Sequence, residues 1–201
     1  MLQPNDTLSL ILSEARRVIE ERGEAGLRVA ELAERCDVAV GLLYHYFKDR
    51  QAIIAAVRAQ QFAELVDADI DTVDMNIADE TTVEGLLTAS IANFGANLDD
   101  EQRRANRWGR LAILAAAEHN EVLHKEVSAQ QIRSSRALIN VIEKAQSQGL
   151  VRTDISARAI ALLVEAVPLG TVLADINPET APTQQEWVAL ITELLLAFSP
   201  R

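Results

Sequence analysis

Apolar residues recur at helical spacing along almost the whole chain. Leu8, Ile11, Leu12, Ala15, Val18 and Ile19 share one face of a helix predicted over residues 6–21, with Gly23 as its stop. A short helix follows over 28–36, where Val29, Leu32 and Ala33 face inward and Asp37 makes the break. A third covers 40–46. Asp49 can cap a fourth, whose Ala52, Ile53, Ala56, Val57, Ala59, Ala63, Val66 and Ile70 hold one face for about six turns. The acidic stretch 67–80 is predicted to end that helix and open a loop.

Thr81 or Thr82 restarts a helix that runs to about residue 97, with Glu84 in its first turn. Two more are predicted over 103–119 and 121–148, the second closed by Gly149. Asp154 or Ser156 caps the next, over 157–174, in which Pro168 should kink the helix or break it. A Pro-containing loop over 177–183 leads into a terminal helix over 183–198. Period-two alternation is scarce, strong helix formers dominate, and there are only eight Gly and five Pro. The fold class is all-α with about nine helices. A three-helix N-terminal module (residues 1–50) precedes a helical body (residues 51–201).

Composition changes this picture in a few respects. With 201 residues, 49% apolar and 24% charged, the chain can bury a sizeable core. Net charge is −11, which opposes non-specific affinity for a polyanion. Its distribution is uneven: the first 50 residues carry seven Lys/Arg against nine Asp/Glu, whereas the remainder carries a net of −9. Any cationic surface is therefore local. Cys36 is the single cysteine, which excludes an internal disulfide and a Cys-based zinc site. No apolar run reaches the ~18 residues of a membrane span, and the N-terminus has no signal-peptide pattern. A cytoplasmic location with no membrane partner is expected.

Two short helices joined by a tight turn form a helix-turn-helix. Gly41 lets a backbone approach another surface, and Tyr44, His45 and Tyr46 carry polar tips. Lys48 and Arg50 follow at the entry of the fourth helix, where cations oppose the macrodipole and so suggest a task outside the helix. Phenols, an imidazole and two cations within seven residues suit phosphate contact and base-edge readout. The packing alternative is strongest at Phe47 and open at Tyr44 and Tyr46.

The segment RVAELAERCDVAVGLLYHYFKDRQAIIAAV (28–57) resembles the DNA-binding module of the TetR family of bacterial transcriptional regulators. Its hallmark is Gly41, then LYHYF (43–47), then the basic Arg50 opening a long helix. The resemblance covers about residues 6–60 and beyond that is architectural only. It implies phosphate contacts at Tyr44, Tyr46 and Arg50, base or phosphate contact at His45, and close approach at Gly41. Lys48 fills an adjacent basic position, and Arg28 offers a guanidinium at the start of the second helix. The chain also departs from the family. Family members usually carry Ser or Thr at Ala39, a basic or amide residue at Val40, Thr at Leu42 and Arg28, a polar residue at Ala30, and Gly at Asp37. Val40 and Leu42 can still meet thymine methyls.

The resemblance further implies a homodimer through the two C-terminal helices, a palindromic double-stranded DNA operator, and a small effector bound in the body, acting on a repressor. The helix over 157–174 is apolar on nearly all faces and needs cover on more than one side, which fits a dimer face. Candidate pocket residues are Phe62, Phe94, Trp108, Leu111, Leu114, His119, Leu138 and Val141, each of which plain core packing would also explain. The alternative reading is a TetR-type fold with weak or lost DNA reading, acting through protein–protein or small-molecule contact.

Glu118, His119 and His124 do not form a metal trio. Adjacent residues on a helix point about 100° apart, and His124 lies five residues on. Arg103, Arg104, Arg107 and Arg110 are expected to form a solvated face paired with Asp99, Asp100 and Glu101. No nucleophile–base pairing, glycine-rich phosphate loop or repeated helical carboxylate/His motif is present. No cofactor and no enzymatic activity are therefore expected.

Overall fold

In the computed structural model, residues 4–95, 98 and 100–200 are described, and among them the only regular structure is helical. Helix α1 (Pro4–Arg22) leads through a 3₁₀ turn (Glu24–Gly26) into α2 (Val29–Arg35), α3 (Val40–Tyr46) and α4 (Arg50–Asn76). Then follow α5 (Val83–Gly95), α6 (Glu101–Glu118), α7 (Glu121–Ser147), α8 (Ala157–Gly170), α9 (Val172–Ile176) and α10 (Gln184–Leu196). The expected end of α5 at residue 97 and the acidic partner Asp99 lie outside the described residues.

One expectation is corrected and one is met. Helix α4 does not end at the acidic stretch but continues through most of it. Apolar Val73 extends the face that already holds Val66 and Ile70, and remote cations compensate carboxylates of the helix. Arg133 of α7 pairs with Asp67 at 2.6 Å and Arg110 of α6 with Asp69 at 2.6 Å. The helix over 157–174 is broken, as Pro168 leads one to expect, at Thr171, which makes ten α-helices among the described residues. Pro168 cannot donate a backbone hydrogen bond. The chain continues one turn further before Thr171, whose hydroxyl donates to the Pro168 carbonyl at 2.6 Å, closes α8.

Helix stops follow the local chemistry. Asp37 sits at φ 52, a left-handed conformation that Asp tolerates better than most side chains. Around it Val38 N–H donates to the Ala33 carbonyl at 3.0 Å and Asp37 N–H to that of Glu34 at 3.1 Å, closing α2 in a Schellman motif. Gly149 (φ 73) closes α7 in the same way. At α10, Thr183 and Glu186 form a reciprocal capping box. Hydrogen bonds from the Thr183 amide and hydroxyl hold the Glu186 carboxyl below its ordinary value.

The chain divides into two units, which are described separately. The first holds residues up to Ala63 with Ala116–Val127. Its core is built by Ile11, Ala15 and Val18 of α1, Leu27, Leu32 and Ala33, Leu43 and Phe47 around α3, and Ile53, Ile54 and Val57 of α4. Fully burying a Leu, Ile or Val side chain contributes about 1.5–3 kcal/mol, so this core fixes α2 and α3 firmly.

The second unit holds Glu64–Ala115 and the residues from Ser128. There α10 lies along α5: Trp187 Nε1 donates to the Phe94 carbonyl at 3.1 Å, and Gln184 donates to that of Gly95. A second core forms around Ile142, Ala157, Ile160 and Ala161. Residues 157–176 are apolar enough over their length to cross a bilayer, contrary to the sequence expectation, and about 22% of that stretch is buried. Arg158, Glu165 and Asp175 lie within it, and the break at Thr171 interrupts it.

Candidate nucleic-acid interface

Helix α3 presents two faces. Leu43 and Phe47 point into the core, at 1% and 8% exposure. Val40, Gly41, Tyr44 and His45, at i, i+1, i+4 and i+5, share the outer face and are exposed. Ala39 precedes them as the N-cap with no side-chain hydrogen bond, and Ala30 of α2 is also exposed. The structure thus brings an aliphatic, a glycine, a phenol and an imidazole to one solvent-facing strip. Lys48 continues it beyond the helix end.

The remaining sequence candidates sit differently. Leu42 is half-buried. Tyr46 is half-buried and packs against the core, and its ring meets that of His45 edge-on at 5.6 Å and 74°. Arg28 is exposed at the N-cap of α2. Arg50 is half-buried and turned inward: its Nε donates to the Leu27 carbonyl at 2.9 Å and its Nη2 to that of Glu24. Nothing in the sequence signals this grip, because its partners are backbone atoms 23 and 26 residues away.

The pocket candidates do not gather in one unit. Phe62, fully buried, and His119, exposed, belong to the first unit. Phe94, Trp108, Leu111, Leu114, Leu138 and Val141 belong to the second. Phe94 is buried, Trp108 is 42% exposed, and the other four are half-buried. Leu138 packs on the core around Ile142. Among the described residues, no group of three His, Cys, Asp or Glu side chains could hold a metal ion.

A cleft of about 390 Å³ lies beside the α8–α9 break. Val167, Thr171, Ala174, Asn177, Pro182 and Trp187 are among its lining residues. None of the lining residues is charged. The Trp187 N–H is already committed to Phe94, so its ring offers an apolar surface.

The basic residues of α6 are not a solvated face paired within their own neighbourhood. Arg107 is 4% exposed and pairs with Asp175, Arg110 reaches Asp69, and Arg103 donates to the Asn93 carbonyl at 2.6 Å. Among the described residues, Arg103 also lies 3.8 Å from Asp100, the local pairing expected.

Residues 11–57 match the family model for bacterial regulatory proteins of the tetR family. The chain is 28% identical over 127 residues to the HTH-type transcriptional regulator BetI of Escherichia coli (strain K12 / DH10B). That match covers 63% of this chain and 61% of the relative, so the likeness spans about three-fifths of BetI. Among solved structures, the transcriptional regulator FadR from Bacillus subtilis in complex with stearoyl-CoA is 18% identical, with a TM-score of 0.56 over 94% of this chain and 97% of that one. A regulator from Saccharomonospora viridis in complex with choline is 14% identical, with a TM-score of 0.64 over 96% of each chain. The fold is that of TetR-type regulators.

Proposed function

We propose that this chain, which carries the TetR-family helix-turn-helix module, is a cytoplasmic, dimeric transcriptional repressor that reads a palindromic operator. The observation that carries the reading is the outer face of α3. Val40, Gly41, Tyr44 and His45 lie exposed together on a helix anchored by Leu43 and Phe47. Residues 1–50 serve as the DNA-binding domain and 51–201 as the effector-binding and dimerisation domain. The homodimer forms through α8, α9 and α10, whose Leu162, Leu173, Ile176 and Leu190 are each more than 60% exposed. A surface of that kind needs a partner.

The effector is a small, neutral, mostly apolar molecule in the cleft beside Trp187. A volume of about 390 Å³ is in the range of ligand sites. With no charge on its walls, an ionic ligand would lose hydration without compensation. A choline-like cation would find one aromatic ring and no carboxylate there. Occupancy of the cleft lowers DNA affinity, because the effector binds one conformation of the dimer better than the other.

A second reading has its own observation. Ala39, Val40 and Leu42 on the leading turn of α3 donate no side-chain hydrogen bond, and net charge is −11. On that reading the fold is kept while DNA reading is weak. Selection from a random duplex library, followed by anisotropy titration across a salt series, separates the two. Enrichment of a palindrome with salt-dependent binding is expected. Recovery of no common sequence would favour the second reading.

A further inference from the structure

A cation at the first residue of α4 faces the positive end of the helix dipole, which invites an anion from outside. In the structure that misfit is met from within the protein. The Arg50 guanidinium folds back onto two backbone carbonyls of the preceding 3₁₀ turn, those of Glu24 and Leu27. Two turns further along α4, Arg58 pairs with the Glu24 carboxylate. Between them Ile54, 3% exposed, belongs to the same core as Leu27, which is fully buried. Positions 50, 54 and 58 form one stripe of α4, so a single helix face seats the whole turn.

That turn is the hinge between α1 and the reading helices. Leu27 is its C-cap, and the next residue, Arg28, is the extended N-cap of α2 at φ −115 and ψ 125. Where Leu27 is held determines the direction in which Arg28 and the first turn of α2 leave. Gly26 adds a spatial requirement, since a Cβ there would lie 2.5 Å from Cβ of Arg22. The Arg28 and Lys48 side chains, by contrast, are exposed and make no hydrogen bond or ion pair with the described residues.

We propose that Arg50 is a positioning residue of the reading head, not a phosphate contact. It holds Leu27 and so orients Arg28 and the entry of α2, while Arg28 and Lys48 are the cations that meet the DNA backbone. This rests on the DNA-binding reading above, so the test combines one measurement with DNA and one without it.

The full-length chain and its Lys48→Ala, Arg50→Ala and Arg50→Lys variants are titrated with the selected duplex across a salt series. Hydrogen exchange of residues 23–33 is then measured without DNA. Lys48→Ala is expected to lower the slope of log affinity against log salt by about 0.9 per lost phosphate contact, with exchange unchanged. Arg50→Ala is expected to weaken binding about tenfold at fixed salt while keeping the parent slope, and to speed exchange around Leu27 about tenfold. Arg50→Lys keeps the charge but loses the two-point grip, so its exchange should also rise.

A reduced slope in Arg50→Ala with unchanged exchange, or parent-like exchange in Arg50→Lys, overturns the assignment. Should Arg50→Ala fail to fold, the Lys variant decides. If the parent chain binds no duplex, the functional reading fails, and exchange still judges the placement of the turn.

Discussion

Arg107 grips Asp175 with one edge of its guanidinium, Nε donating to Oδ2 at 2.8 Å and Nη2 to Oδ1 at 2.6 Å. Trp108 Nε1 adds a third donor at 3.0 Å, and Arg104 lies 3.4 Å away. The Arg107 and Asp175 side chains are 4% and 8% exposed, so α9 is tied to α6 by a nearly dry ion pair. Asp175→Asn keeps the shape but removes the carboxylate charge that faces the buried Arg107 guanidinium. Urea denaturation is expected to register a loss of about 3–5 kcal/mol. Arg104→Ala, at a site 56% exposed, should cost under about 1 kcal/mol. Equal small losses in both variants would show that the pair does not hold α9.

The same pair sets an acid response. The Arg107 hydrogen bonds hold the Asp175 carboxyl below its ordinary value, against the opposing effect of burial, and Arg104 and Trp108 assist. A carboxyl depressed in the folded state stabilises fully above its unfolded value of about 3.9 and loses that contribution as pH falls through the lower folded value. Trp108 emission followed below pH 4 should report the change. Asp175→Asn should remove that part of the transition while leaving the neutral-pH plateau flat.

On α3, Tyr44→Ala should weaken binding to the selected duplex without lowering thermal stability, because the ring is 54% exposed. Tyr46→Ala should lower stability as well, since that ring packs on the core. Val40→Ser and Leu42→Ser should redirect sequence preference away from thymine-containing steps by losing methyl contacts. Repeating the selection with each variant checks this. An unchanged consensus would favour the weak-reader alternative.

Filling the cleft is a test of the effector site. A Cβ at Gly170 would meet nothing within 4 Å, so Gly170→Leu adds bulk beside the cleft without a clash at the backbone. The change should also favour helix by up to about 1 kcal/mol. The parent is expected to bind the neutral fluorophore N-phenyl-1-naphthylamine saturably, and Gly170→Leu to bind it at least about tenfold more weakly with a parent-like melting temperature. Equal binding by both proteins would locate the fluorophore elsewhere.

Cys36 should be a slow thiol. It is 5% exposed, and burial first, then the charge of Glu14, raises its pKa. Since the thiolate is the reactive form, a disulfide reagent at pH 8 should react only as the protein unfolds, with a rate that follows denaturant concentration. Rapid labelling of the native protein would contradict the burial.

Most of the elements were legible because their signals are local. Residues 40–46 form α3 as the pattern predicted, and Asp37, Asp49, Ser156, Thr183 and Gly149 stop or cap helices where their chemistry suits the backbone. The site was legible in part. Exposure of Tyr44 and His45 beside buried Leu43 follows from helical phase, whereas the inward turn of Arg50 does not. The extension of α4 beyond Ile70 to Asn76 is not legible, because the run of carboxylates there reads as a helix end.

What the sequence by itself determined is which segments are helical, where they stop, and which face of each reading helix is apolar. Those properties depend on side-chain periodicity and on hydrogen bonds between residues a few positions apart. Only the tertiary structure decided where the charges go. Arg50 meets a carbonyl 23 residues back, Arg110 a carboxylate 41 residues back, and Arg107 one 68 residues ahead. A guanidinium on a long flexible stem accepts any oxygen the fold brings within reach, and packing chooses which one arrives.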